Sequence, residues 1–396
     1  MLEPASAGLA FSRRMTRLGA RVTLVVTPWS PEDARSRRAE SVIAPYEPNG
    51  EPWLAALHRL AATAGEEPLV VVTATDRGSE LLVRAAPQLP PNLRIFESPD
   101  SAHMPLMDKQ SADAIARRAG VNVPWTAQLC DRETFERLSA EAPWPCVVKP
   151  VFSHEWRDRY TLERTFLAED AGQAVRLLER PLADGFPMLL CQYVPGGDDD
   201  VEEAIVVRLA DGSYPMHFGC RKLRQWPPGF GETAVGESSL LPETTEIAKK
   251  VLDEAGFVGV AGVEVKRDAR TGERWFLEVN VRMPGQWGLG DASGADASAR
   301  LVGALSGHEL GPSPALRPGV RMVLPEIDAR VVLPALRAAP IRRRPALALR
   351  LLRPYWGARE LGMFDPRDPG PGLALLAGWL WRRTARLRFW RRREPA

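Results

Sequence analysis

The residues most able to do chemistry are two carboxylates, an amide and an arginine set on short apolar runs. Glu278, Asn280 and Arg282 alternate with Val279 and Val281, and Glu264 stands just upstream in Gly262-Val263-Glu264-Val265-Lys266. Alternation of this kind marks half-buried strands. The connector Asp268-Ala269-Arg270-Thr271-Gly272-Glu273 has the composition of a tight turn, so the two runs are expected to pair as a hairpin. Side chains on a strand repeat every second residue, which lets Glu264, Glu278 and Asn280 share one face. Three hard oxygen donors on one face suit Mg²⁺, for which Mn²⁺ can substitute, with phosphate and water completing the shell. Arg282 is next along that face and can hold a phosphate oxygen as a planar fork. A solvated polar face of an ordinary hairpin has the same pattern, so the rest of the chain must decide.

The composition bounds the answer. At 396 residues the chain is long enough for two or three domains. Apolar content of 45% and charged content of 26% are those of a soluble globular protein. A net charge of +2 gives no reason to expect a nucleic-acid partner. Cys130, Cys146, Cys191 and Cys220 lack metal-ligand spacing, and no secretory leader is apparent, so reduced thiols in a cytoplasmic protein are expected. No run reaches the roughly 18–20 apolar residues that cross a bilayer.

The elements that must position these residues alternate in the α/β manner. Helices are expected at 8–18, 52–64 and from 79, with strands at 21–27, 69–73 and 94–96. Such alternation argues a Rossmann-like parallel sheet, with ligands at strand carboxyl ends. Thr75 and Asp76 stand at one such end, as many structural N-caps also do. The strand expected before the first helix is missing: either it is short or absent, or the coding start is placed downstream of the true one. A helix at 107–119 carries Asp108 near its N-cap and Lys109 beside it. Then come a helix at 132–140 and a strand at 145–150 ending in Lys149 and Pro150. A lone ammonium there needs an anionic partner or must snorkel to water. Strands at 164–168 and 188–194 flank a helix at 170–179, and the second runs into Pro195-Gly196-Gly197. Strands at 204–209 and 214–221 lead to Lys222, Arg224 and the Gly/Pro loop 227–231. A helix at 243–256 precedes the hairpin, and a glycine-rich loop at 283–290 and a helix at 295–305 follow it.

This ordered set resembles the ATP-grasp superfamily, which includes biotin carboxylase, the large subunit of carbamoyl phosphate synthetase and many carboxylate–amine ligases. The resemblance spans about 106–310. It rests on Asp108-Lys109 opening a helix, Val148-Lys149-Pro150 at a strand end, an apolar strand into Pro195-Gly196-Gly197, the basic residues before the loop, and the final Glu-Val-Asn-Val-Arg. It implies an N-terminal Rossmann-like domain (1–104), an ATP-grasp domain (105–310, lid lobe about 125–195) and a basic extension (311–396). It also implies roles. Lys109 and Lys149 would place ATP. The backbone of Cys191, Gln192, Tyr193 and Val194 would read adenine. Glu203, or else Asp200 or Glu202, would meet the ribose. Lys222 and Arg224 would meet the γ-phosphate or substrate. Glu278 and Asn280 would hold Mg²⁺, Glu264 the same or a second ion, and Arg282 the transferred phosphoryl group. Arg164 stands where the family has a lid lysine, and the lid loop 153–159 has no glycine, leaving Ser153 and Arg157 as substitutes. The implied reaction is phosphorylation of a carboxylate by ATP, followed by attack of an amine on the acyl phosphate. A bicarbonate-activating carboxylase and a non-catalytic nucleotide-binding regulator or membrane adaptor are the alternatives. His154, a lone loop histidine, reads as incidental.

From 311 the composition shifts to Pro, Arg and Ala. The run Leu373-Ala374-Leu375-Leu376-Ala377-Gly378-Trp379-Leu380-Trp381 enters a cluster of arginines. Leu and Trp beside dense Arg suit a helix lying in an anionic membrane interface, at the inner face of the membrane. Packing on its own domain and a basic arm for nucleic acid are the competing readings. The sequence leaves the oligomeric state open.

Overall fold

The computed structural model describes residues 1–28, 30, 32–151, 156, 159–160 and 165–391, with side chains to 381. Arg164, Ser153, His154 and Arg157 lie outside the described residues.

The first unit comprises α1 (Ala5–Arg17), β1 (Thr23–Val26), β2 (Glu40–Ile43), α2 (Glu51–Ala64), β3 (Leu69–Val70), α3 (Asp76–Ala85) and β4 (Leu93–Arg94). Strands β1 and β2 pair in parallel, as do β3 and β4. Leu2 joins the two pairs, bridging in parallel to Val25 and to Thr73. Its N–H donates to Val72 O at 2.9 Å, and Val25 N donates to Met1 O at 2.9 Å. A strand before α1 is therefore present in its shortest form, with Leu2 fully buried at the centre of the sheet. The order β2-β1-Leu2-β3-β4 reverses direction at Leu2. The loops leading to Ala5 and Asp76 therefore open at a switch point, where ligands bind in such sheets. Strand β2 escapes sequence reading because it is a mostly exposed edge strand without an apolar pattern.

Helices α4 (His103–Met107) and α5 (Lys109–Arg118) lead into a four-stranded antiparallel sheet. Its strands are β5 (Thr126–Leu129), β6 (Cys146–Pro150), β7 (Phe166–Ala168) and β8 (Met188–Gln192), in the order β5-β8-β6-β7. Helices α6 (Arg132–Ser139) and α7 (Ala171–Ala183) cover one face, burying Phe135, Leu178 and Phe186 against it.

The third unit is a six-stranded antiparallel sheet. It contains β9 (Val201–Arg208), β10 (Met216–Trp226), β11 (Glu232–Ser238), then α8 (Pro242–Ala255), β12 (Gly259–Arg267) and β13 (Arg274–Asn280). Two short helices, α9 (Trp287–Ala292) and α10 (Ala297–Leu305), precede its last strand, β14 (Arg321–Val323). The order is β13-β12-β9-β10-β11-β14. Three expectations change here. Glu202 and Glu203 lie inside β9 rather than before it. The glycine-rich loop after Arg282 turns into α9, whose Trp287 is fully buried and donates to Ser298 Oγ at 3.0 Å. The boundary at 310 also fails, because β14 pairs with β11 inside the sheet.

Beyond β14 run α11 (Pro325–Ala338), α12 (Arg344–Leu352) and α13 (Gly370–Arg391). This segment folds back on the first unit: buried Asp368 accepts from Arg13 Nε at 3.0 Å and from Ser36 Oγ at 2.8 Å. The start of α13 packs against the core through Leu375, while Leu373, Leu376, Leu380 and Trp381 are exposed. No helix among the described residues is long and apolar enough to cross a membrane.

Candidate active site

One cavity of about 660 Å³ lies between the two antiparallel sheets and the switch point of the first unit. The hairpin read from sequence forms its floor. Glu264 pairs directly with Glu278, and Gly262 with Asn280, with a bulge after Glu264. On the other side β9 places Glu203 opposite Glu264. Three carboxylates therefore stand side by side on β9, β12 and β13.

The cations reach this floor from separate elements. Lys109 opens α5, whose N-cap Asp108 accepts from Ser111 N at 2.9 Å. Lys149 projects from β6 and Lys222 from β10, and all three line the cavity. Lys222 Nζ lies 2.6 Å from Glu264 Oε2 and donates to Gly231 O at 3.2 Å. Gly231 is the one residue type this loop can use there, because a Cβ would collide with the Trp226 carbonyl. Burial works against the Lys222 charge, yet Glu264 and Glu203 outweigh it and hold the ammonium above its ordinary range. Burial likewise opposes ionisation of Glu278, but Lys109, Lys222, Lys149 and Arg282 together hold its carboxyl below the usual range. Arg282 donates from Nε to Asp76 Oδ1 at 3.0 Å and from Nη2 to Asn280 Oδ1 at 3.2 Å. The strand β8 edge, Cys191 to Val194, forms the far wall, where Lys266 Nζ lies 4.9 Å from the Tyr193 ring centroid.

One assigned residue sits elsewhere than expected. Arg224 is outside the cavity. The register of β10 shifts on both sides of it, so it turns to the opposite face. There its guanidinium meets buried Asp328 at 2.5 Å and donates to Leu351 O at 2.9 Å. Glu203 lines the cavity, in the row of carboxylates beside Glu264. Of the alternatives, Asp200 is held by Gly197 N at 2.9 Å and Arg267 at 2.5 Å, and Glu202 faces Thr244 and Arg274. Neither lines the cavity.

Sequence reading missed Gln286 and Thr233. The Gln286 amide donates to Glu203 Oε2 and to Thr233 Oγ1, each at 2.6 Å. Thr233 lies on the unforeseen β11, and Gln286 follows a turn with no periodic signal. Leu324 and Ile327 also reach the cavity from beyond the expected domain boundary.

The donor set fits Mg²⁺. Among the described residues no three His, Cys, Asp or Glu side chains form a closed metal cage, and Mg²⁺ typically asks only for one or two carboxylates beside phosphate oxygens and water. Glu203 Oε1 is buried without a partner among the described residues, over a Gly262 whose Cβ would fill that space. This buried oxygen beside Glu264 is a hard donor that a divalent cation can use.

No protein-family model matches the sequence, and no curated protein matches it. Solved structures do match. Biotin carboxylase from Campylobacter jejuni in a β-γ-ATP complex aligns at 18% identity and TM-score 0.60, over 81% of this chain and 73% of that one. N5-carboxyaminoimidazole ribonucleotide synthetase from Thermus thermophilus aligns at 19% identity and TM-score 0.60, over 81% of each chain. The biotin carboxylase domain of 2-oxoglutarate carboxylase from Hydrogenobacter thermophilus, solved with MgADP, ADP and bicarbonate, aligns at 16% identity and TM-score 0.60, over 81% and 72%. These likenesses show that the chain has the same fold as these enzymes, the fold that the ATP-grasp resemblance implied.

Proposed function

We propose that this chain is an ATP- and Mg²⁺-dependent ligase that phosphorylates a carboxylate and passes the acyl group to an amine. The observation that carries this reading is a cavity in which three lysines and Arg282 converge on Glu278 beside Glu264 and Asn280. The structural neighbours solved with ATP-type ligands and with MgADP support it. In this reading the backbone of Cys191, Gln192, Tyr193 and Val194 reads the adenine edge. Lys109 and Lys149 hold the nucleotide phosphates, and Lys222 leaves Glu264 for the γ-phosphate. Glu264, Glu278 and Asn280 would hold Mg²⁺, which supplies charge neutralisation on the phosphate oxygens. Arg282 reaches the transferred phosphoryl group and the acyl phosphate, with Asp76 setting its direction. Phosphoryl transfer passes through a loose transition state, so positioning and fixed charge carry most of the catalysis. Closure of the 125–195 lobe would keep water from the acyl phosphate.

The test is ADP release with a panel of carboxylates, bicarbonate included, each with and without amines. Release that needs both an acid and an amine is the expected result. Release with bicarbonate alone would favour the carboxylase reading. Bound ATP with no stimulation by any pair would favour a nucleotide-binding regulator.

We also propose that the C-terminal segment touches anionic membrane. Residues 341–396 carry fourteen arginines against four acidic residues, so the first 340 residues are net acidic. Exposed Leu373, Leu376, Leu380 and Trp381 share the same segment. Apolar side chains beside clustered cations favour such a surface, each cation adding about 1 kcal/mol. Co-sedimentation with phosphatidylglycerol vesicles, lost in a Leu376→Ser, Leu380→Ser, Trp381→Ser variant, is expected. A wild-type protein that stays in the supernatant would refute it.

A further inference from the structure

We infer that Glu203 is a metal ligand, adding a carboxylate from a third strand so that a divalent cation is held between Glu203, Glu264 and Asn280. The inference rests on the nucleotide–metal reading above and extends it to a residue which that reading leaves without a task.

Register places Glu203 opposite Glu264, and Glu264 opposite Glu278. Directly opposed side chains on neighbouring strands begin about 5 Å apart at Cβ, within reach of one cation. The Glu203 side chain is 1% exposed. Its Oε2 is fixed by Gln286, whose amide is itself tied to Thr233. Its Oε1 has no partner among the described residues. That atom lies against Gly262, where any Cβ would displace it. Gly262 is the register partner of Asn280 and precedes Glu264 by two residues on the same face. The open oxygen therefore faces the strip between two residues already placed as cation ligands.

The nearby cations have other partners. Lys222 is on Glu264 and Gly231, and Arg282 is on Asp76 and Asn280. A buried carboxylate oxygen left unpaired is costly, and a hard divalent cation collecting oxygen donors is the ligand that satisfies it. Gly262 and the Gln286–Thr233 clamp hold the oxygen in that position.

The experiment is a Mn²⁺ titration of the full chain saturated with a non-hydrolysable ATP analogue, following the electron paramagnetic resonance signal of free Mn²⁺. Glu203→Gln keeps the shape and removes the charge. It should weaken Mn²⁺ binding by about tenfold or more. Gly262→Ala, which pushes the carboxylate out of its place, should give the same loss by a different route and covers the case in which Glu203→Gln does not fold. Wild-type Mn²⁺ affinity and stoichiometry in these variants would overturn the inference and assign Glu203 to a substrate ammonium instead. If the wild type binds no analogue, the nucleotide reading falls. The same comparison run without nucleotide then decides Glu203 by itself.

Discussion

Arg224 separates a residue that holds the fold together from one that does chemistry. Its guanidinium meets Asp328 at 2.5 Å and Leu351 O at 2.9 Å, and the Asp328 side chain is fully buried. Changing Arg224→Met removes the charge but keeps much of the stem. Asp328 is then left with one donor, Tyr355 Oη at 3.0 Å. Removing one partner of a buried pair costs about 3–5 kcal/mol, and the remaining phenol argues for the lower end, about 3 kcal/mol. Replacing both partners by apolar groups is far less costly, so Arg224→Met with Asp328→Leu should recover most of the loss. Urea unfolding reads this directly as a lower midpoint at unchanged slope for the single variant, largely restored in the double. Nucleotide binding by isothermal calorimetry should stay at the wild-type value in both, because Arg224 does not line the cavity. An Arg224→Met protein of unaltered stability that no longer binds nucleotide would refute this placement.

Two further outcomes follow from the same geometry. Lys149→Met should weaken binding of an ATP analogue by at least about tenfold, a single charge-assisted contact to phosphate, without lowering the unfolding midpoint. Calorimetry with parallel denaturation checks both. Asp33 is buried beside Glu32, and burial first, then that neighbour, push its carboxyl up to about 7. A folded pKa above the unfolded one means the native state holds the proton more tightly. This contribution is therefore fully present below about pH 4 and is lost as pH rises toward 7. Asp33→Asn should flatten that fall in stability between pH 4 and 7, measured as unfolding midpoints across pH.

The hairpin was legible because it obeys the two-residue period and because its turn has unmistakable turn chemistry. Glu264, Glu278 and Asn280 meet on one face for that reason alone. Strands β6 and β8 were legible as continuous apolar runs, which the burial of Val148 and Leu190 explains. Four features were not legible. Strand β11 alternates weakly and carries two glutamates, and its identity comes from pairing with β10 rather than from local propensity. The Leu2 strand is one bridge long, below any periodic signal. The direction of Arg224 depends on register shifts in β10, which composition does not encode, so the place the resemblance implied for it could not be checked from sequence. The neighbourhood of Glu203 was not legible, because Glu264 lies 61 positions away and only strand pairing brings the two together.

The central claim is that the cavity binds a nucleotide through a metal held by the hairpin. Isothermal calorimetry with a non-hydrolysable ATP analogue, with and without Mg²⁺, tests it most directly in the wild type and in a Glu278→Ala, Asn280→Ala double variant. The account predicts tight binding by the wild type that depends on Mg²⁺, and loss of that dependence in the double variant. Wild-type protein that binds no analogue, or binding that is indifferent both to Mg²⁺ and to the double change, would contradict it.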